Sequence, residues 1–211
     1  MPELANLSLF VTGSLALLLV PGPAVLYIIA SSVDQGRIAG LVSVAGIQTG
    51  TLFHVAAAAL GLSALLASSA LLFDAVKYLG AAYLIYMGVR KLLTKPEAMS
   101  IKVIQHSGLR QVFRQGVIVN VLNPKTALFF LAFLPQFVDP ARGSVPLQML
   151  MLGTIFVLLG STTDGTYAVL AGTFGGWLKN STFYLRMQRY VAGTVFIGLG
   201  VAAALSSSSK K

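Results

Sequence analysis

Two opposite charges, Lys125 and Asp164, stand inside long apolar runs of this chain, and a cation and an anion at comparable depth could hold the carboxylate and the ammonium of a zwitterion. A lone charge in apolar surroundings costs several kcal/mol unless it faces water or a partner, so a binding role is the first expectation for each. A structural Lys125–Asp164 salt bridge that only neutralises the two is the alternative. Gln48 and His54 lie about two turns apart in another apolar run, and His54 is either a satisfied interior group or a proton relay. Asn120 and Asn123 bracket Pro124, where they could serve carbonyls freed by the proline or bind a ligand. The histidines, His54 and His106, fall in different segments without carboxylates at ligand spacing, so neither a metal nor a cofactor is expected. Hydrolase signatures and Gly-rich phosphate loops are absent, and central ionisable groups are too sparse for a nucleophile and its base, which argues against an enzyme.

The elements that must carry these groups read as membrane helices. Of 211 residues 56% are hydrophobic and 10% charged, with mean hydropathy +0.82, against about 25% charged in soluble domains. A bilayer span takes about 20 residues, so six spans nearly use up the chain as one transmembrane domain, residues 1–211. The spans are expected near Leu7 to Ala30, Gly40 to Leu66, Leu71 to Leu93, Val112 to Val138, Val145 to Thr173 and Tyr190 to Leu205. Prolines interrupt two of them, at Pro21-Gly22-Pro23 and at Asn123-Pro124-Lys125, and broken helices inside a bilayer line a polar cavity. Half-helix N-termini are positive, so the break before Lys125 suits a carboxylate, while Asp164 or carbonyls freed near Pro21 and Pro23 suit an ammonium.

The net charge of +9 follows the span ends and so does not point to nucleic acid. Arg37, then Arg90 to Arg114, then Lys179, Arg186 and Arg189 fall on the face shared by the odd loops, leaving Lys77, Arg142, Lys210 and Lys211 opposite. The positive-inside rule then puts the 95–111 loop in the cytoplasm and both termini outside. The uncharged stretch from Leu4 to Val33 is too long for a cleaved signal and lacks a basic start, so it is expected to remain as the first span. The Ser206–Lys211 tail is expected to be disordered.

Tyr78–Leu93 aligns without gaps to Tyr190–Leu205, sharing Tyr, Ile, Gly, Val and Leu at five positions. Two halves, roughly 1–94 and 112–205, of three spans each would be inverted repeats, with the proline breaks at corresponding places. The small-xxx-small patterns at Gly46–Gly50 and Gly172–Gly176 allow close helix approach, within the chain in the preferred reading and across a homodimer in the other.

Several motifs in order resemble the lysine exporter (LysE/RhtB) superfamily of amino-acid efflux proteins. They are Pro21-Gly22-Pro23, Gly46-xxx-Gly50 with His54 and Gly61-Leu62, and Gly80-Ala-Ala-Tyr83-Leu84 through Gly88. Asn120-xx-Asn123-Pro124-Lys125, Phe133-Leu-Pro135-Gln136-Phe137 and Asp164-xx-Tyr167-Ala168 complete the series. The resemblance implies an all-α inner-membrane exporter of amino acids or close derivatives, driven by an ion gradient rather than ATP. Proton antiport is the expected drive, with His54 and Asp164 as the coupling groups, and Pro21, Gly22, Pro23, Gln48, Asn120, Asn123, Pro124, Lys125 and Asp164 as the expected substrate site. A passive channel or a scaffold is the alternative. One departure is Thr51, where many members place an acidic residue, and it points to neutral rather than basic cargo.

Overall fold

A computed structural model describes residues 4–62, 64, 69–93, 108–178, 190, 194–201 and 204–205. Among these residues the chain is all-helical. Helix α1 spans Leu4–Leu19 and α2 spans Pro23–Ala57, widening into a π turn at Ala58–Leu62. Helix α3 is Ala70–Leu93, α4 is Leu109–Val121 and α5 is Pro124–Leu128. The last of these continues through a π turn, Phe129–Phe133, and a 3-10 turn, Leu134–Phe137. After a short turn at Pro140–Arg142, α6 runs over Val145–Leu178, and residues 194–201 are again helical. The expected disordered tail and most of the 95–111 loop lie outside the described residues. At its end the loop gives way earlier than expected: Gln111 and Val112 already bond back to the carbonyl of Gly108, so Leu109–Gln111 are helical.

Two helical stretches, Pro23–Gly61 and Val145–Phe174, are long and apolar enough to cross a membrane, and the pair Leu109–Val121 with Pro124–Phe137, bent by 45°, makes a third. The first of these is not a straight rod. Gly36 has φ 84 and ψ 176, a conformation open essentially to glycine alone. In an unbroken helix Ser32 and Gly40 would stand about 12 Å apart along the axis. A Cβ on Gly40 would instead lie 3.0 Å from the Cβ of Ser32, so α2 folds back on itself at Gly36 into two arms. The expected first and second spans therefore meet at this turn, with Arg37 beside it packed against Gly172 of α6.

The second arm of α2 packs between α4 and α6. A Cβ on Gly46 would meet the Phe113 carbonyl of α4, and one on Gly50 would lie 2.9 Å from the Val117 carbonyl, so the small-xxx-small pattern is used within the chain. On the α6 side, Gly153 lies against Val55 and Gly160 against the Gln48 amide. Helix α3 touches the last helical segment, where a Cβ on Gly200 would stand 2.8 Å from the Ala81 carbonyl.

A nest of phenylalanines joins α1, the α5 extension and α6. Phe10 meets Phe137 edge-on at 5.3 Å between ring centroids, and Phe129 lies 4.6 Å from Phe156 of α6. Lipid is as apolar as these rings, so their dense packing rather than escape from water holds the helices here. The nest fixes α5 relative to α1, and with it the distance between the two proline breaks.

Candidate functional site at the two helix breaks

Each proline removes an N–H that an unbroken helix would direct at the carbonyl four residues earlier. Away from water that carbonyl must find another donor. At the first break Pro21 deprives Leu17, whose carbonyl instead accepts from Val20 N at 3.1 Å in a tightened last turn. Pro23 deprives Leu19, whose carbonyl accepts from the Tyr167 hydroxyl of α6 at 2.9 Å. The turn also strips Val20 of its helical donor, and the Lys125 ammonium of α5 donates to that carbonyl.

At the second break Pro124 deprives Asn120. That carbonyl accepts from Asn123 N at 3.0 Å and from His54 Nε2 at 2.9 Å. A carbonyl only accepts, so the ring carries its proton on Nε2. His54 also stacks on Phe130, with ring centroids 6.1 Å apart. Asn123 caps α5, its side-chain oxygen accepting from Lys125 N at 3.1 Å, and Pro124 takes the first helical position, where no N–H is needed. The Asn120 amide is fully engaged. It donates to the Ile47 carbonyl and the Thr51 hydroxyl, each at 2.8 Å, and accepts from Thr126 Oγ1 at 3.1 Å.

Between the breaks lies a cavity of about 30 Å³, walled by Gly22, Gln48, Asn123, Lys125 and Asp164 with Leu17, Ile47 and Phe156 as apolar neighbours. That space has room for water-sized occupants only, so an amino acid needs the site to widen. Lys125 and Asp164 are both buried, at 6% and 3% exposure. They share the cavity without direct ion-pair contact: Lys125 Nζ lies on Val20 O, and Asp164 Oδ2 accepts from Gln48 Nε2 at 2.9 Å. Gln48 Oε1 is buried without a partner. The stem of Lys125 crosses the first break where Gly22 has no side chain, since a Cβ there would be 3.0 Å from Lys125 Cδ.

The residues singled out in the sequence thus fall into three sets. Gly22, Gln48, Asn123, Lys125 and Asp164 meet at the cavity, and Asn120 lines it with its amide spent on holding α2 to α4 and α5. Pro21, Pro23 and Pro124 create the breaks. His54 stands apart from the cavity between the charges. It lines a second, mainly apolar cavity of about 340 Å³ with Ala57, Gly61, Val76, Ala127 and Phe130. Sequence reasoning gave no role to Tyr167 or Thr126, while the Val20 carbonyl is among those expected to be freed near Pro21 and Pro23. Tyr167 could have been found, because it follows Asp164 by three residues on one helix face and a proline-freed carbonyl needs a donor.

Residues 15–207 match the family described as LysE type translocator. An uncharacterized membrane protein of Bacillus subtilis is 31% identical, over 90% of this chain and 94% of its own length. The homoserine/homoserine lactone efflux protein of Salmonella typhimurium is 29% identical, over 90% and 92%, and the leucine efflux protein of the same organism 28%, over 94% and 93%. No solved structure matches.

Proposed function

The chain belongs to the LysE type translocator family, and on that footing we propose that it exports neutral amino acids or close derivatives by proton antiport across the inner membrane. It is a membrane transporter rather than an enzyme. The observation that carries the reading is the small cavity between two helix breaks, with one cation and one anion on its wall that are not in direct contact with each other. A zwitterion entering there keeps the cavity neutral, whereas a basic amino acid adds a charge with one carboxylate to meet it. Relatives named for efflux of homoserine, its lactone and leucine support an amino-acid cargo.

The architecture proposed for this activity is six spans as two inverted three-helix repeats. Its support is the way the breaks are sealed. A ring side chain of α6, Tyr167, seals the break between α1 and α2, and a ring side chain of α2, His54, seals the break between α4 and α5. In the proposed count this is span five on span one and span two on span four. His54 and Tyr167 are 113 positions apart, close to the 112 that separate Tyr78 from Tyr190, while Pro23 and Pro124 are 101 apart. The extra residues fall in the connection around Asp139–Gly143, which in the first half is the tight turn at Gly36. The 113 offset also pairs Asp164 with Thr51. A carboxylate in one repeat faces a hydroxyl in the other, which favours neutral cargo.

Within this reading Asp164 carries the proton in exchange for cargo, His54 remains the second coupling group, and both termini lie outside the cytoplasm. The test is a metabolite profile of the medium from cells with and without the protein while dipeptides load the cytoplasm with each amino acid. Neutral amino acids should appear outside faster than without the protein, and only while the proton gradient stands. Export confined to basic amino acids, or a leak indifferent to the gradient, would overturn the reading.

A further inference from the structure

The acceptors around the cavity suit an ammonium. While Asp164 is ionised it only accepts, Gln48 Nε2 donates to it, and Oε1 is left as an acceptor, buried and without a partner among the described residues. Gln48 is 9% exposed. Among the described residues, Asp164 accepts a protein donor at Oδ2 and none at Oδ1. The third acceptor, the Val20 carbonyl, is stripped of its helical donor by the first break and stands behind the cavity wall, joined to it through Lys125. An ammonium has three N–H donors and no acceptor, so the set matches its needs. In this structure the protein's own ammonium, on Lys125, takes one of the three, the Val20 carbonyl, and touches neither Gln48 Oε1 nor Asp164.

We propose that the Lys125 ammonium is a tethered stand-in for the cargo ammonium, occupying the Val20 carbonyl while the carrier is empty and exchanging places with it when an amino acid enters. This inference rests on the reading of the cargo as a neutral amino acid. The cargo carboxylate draws Lys125 off Val20, and the cargo ammonium takes the vacated carbonyl with Gln48 Oε1 and Asp164. No covalent bond forms or breaks, and with Asp164 ionised the cavity holds balanced charge both empty and loaded. The lysine stem has room to swing because Gly22 presents no side chain to it. Residue 125 therefore does two things: it binds the carboxylate, and it excludes amines that bring no carboxylate. Such an amine would put two cations against one anion, so the lysine acts as a filter for α-amino acids over alkylamines.

The exchange predicts an inversion of specificity. Lys125→Met keeps the stem and removes the stand-in, leaving the acceptors with one anion and no cation. The experiment is calorimetric titration of the purified full chain with leucine and with isopentylamine, which is leucine without its carboxylate. Wild type should bind leucine at least about tenfold more tightly than the amine, and Lys125→Met should reverse that order. Lys125→Met that binds neither compound while keeping the wild-type melting temperature, or that keeps the wild-type order, overturns the exchange and leaves the efflux reading standing. Wild type that binds no neutral amino acid fails the efflux reading itself. If Lys125→Met does not fold, Gln48→Met decides: the exchange requires about tenfold weaker leucine binding, and unchanged binding overturns it.

Discussion

The two proline breaks solve the same problem with different partners. At the second break the freed Asn120 carbonyl is held by His54 and by its own turn, Asn123 caps the following helix, and every polar atom of the Asn120 amide is engaged. That break is fastened to α2 without any buried charge, and in that sense is self-contained. At the first break one freed carbonyl is held by Tyr167 and the neighbouring one by Lys125, a charged group on a flexible stem that an anion can compete for. The difference teaches that the second break is scaffold and the first is the half a ligand can unfasten. Both breaks are needed, because the scaffold supplies the lysine that the movable half waits on.

The largest effect should come from cutting the link between the breaks. Lys125→Met should reduce export of a neutral amino acid at least about a hundredfold, measured as efflux from preloaded cells, with the protein still present in the membrane; this is the loss expected of a charge pair worth several kcal/mol away from water. Next is removal of the first break. Replacing Pro21 and Pro23 by alanine favours a continuous helix by roughly 3 kcal/mol per proline, so the protein should insert and melt no lower than wild type yet fail to export. Retained efflux would reduce the prolines to kinks.

Smaller effects test whether the two seals are equivalent. Tyr167→Phe and His54→Leu each leave a freed carbonyl without its outside donor, a cost of about 1–3 kcal/mol. Asn123 N still serves Asn120, so His54→Leu should lower the melting temperature less than Tyr167→Phe. The reverse order would contradict the self-contained second break. The smallest change is Gly22→Ala. Its Cβ would sit 3.0 Å from Lys125 Cδ, a contact that a flexible stem relieves by shifting a few tenths of an ångström. Export should fall a few-fold with no loss of folded protein, and an unchanged rate would mean that the lysine does not cross the break during transport.

Much of the site was legible because prolines and charges are conspicuous in apolar sequence. Pro21, Pro23 and Pro124 gave both breaks, and Lys125 and Asp164 gave the cavity wall that the structure assembles. Long apolar runs bounded by charges gave the helices, with α3 and α6 starting within one residue of expectation. A reversal between Ala30 and Gly40, with Arg37 in it, was expected as well, but not that it would shrink to the single residue Gly36 with helix on either side. Long-range hydrogen bonds were not legible at all. That His54 faces a backbone carbonyl rather than Asp164 depends on how α2 and α4 cross, which Gly46, Gly50 and Gly116 permit without announcing. The unpaired state of Lys125 and Asp164 likewise follows from competition by Val20 O and Gln48, which no pattern of residue types foretells.

The central claim is that the two buried charges recognise the two ends of a zwitterion instead of merely neutralising each other. A double substitution that removes both charges separates these roles, because a structural pair can be replaced by apolar groups of similar volume with little loss. The measurement is uptake of labelled leucine by proton-energised liposomes carrying Lys125→Met together with Asp164→Leu, beside wild type and each single variant. Recognition predicts folded double-variant protein with no uptake above protein-free liposomes. Uptake at the wild-type rate by the double variant, with the single variants unstable, would contradict it.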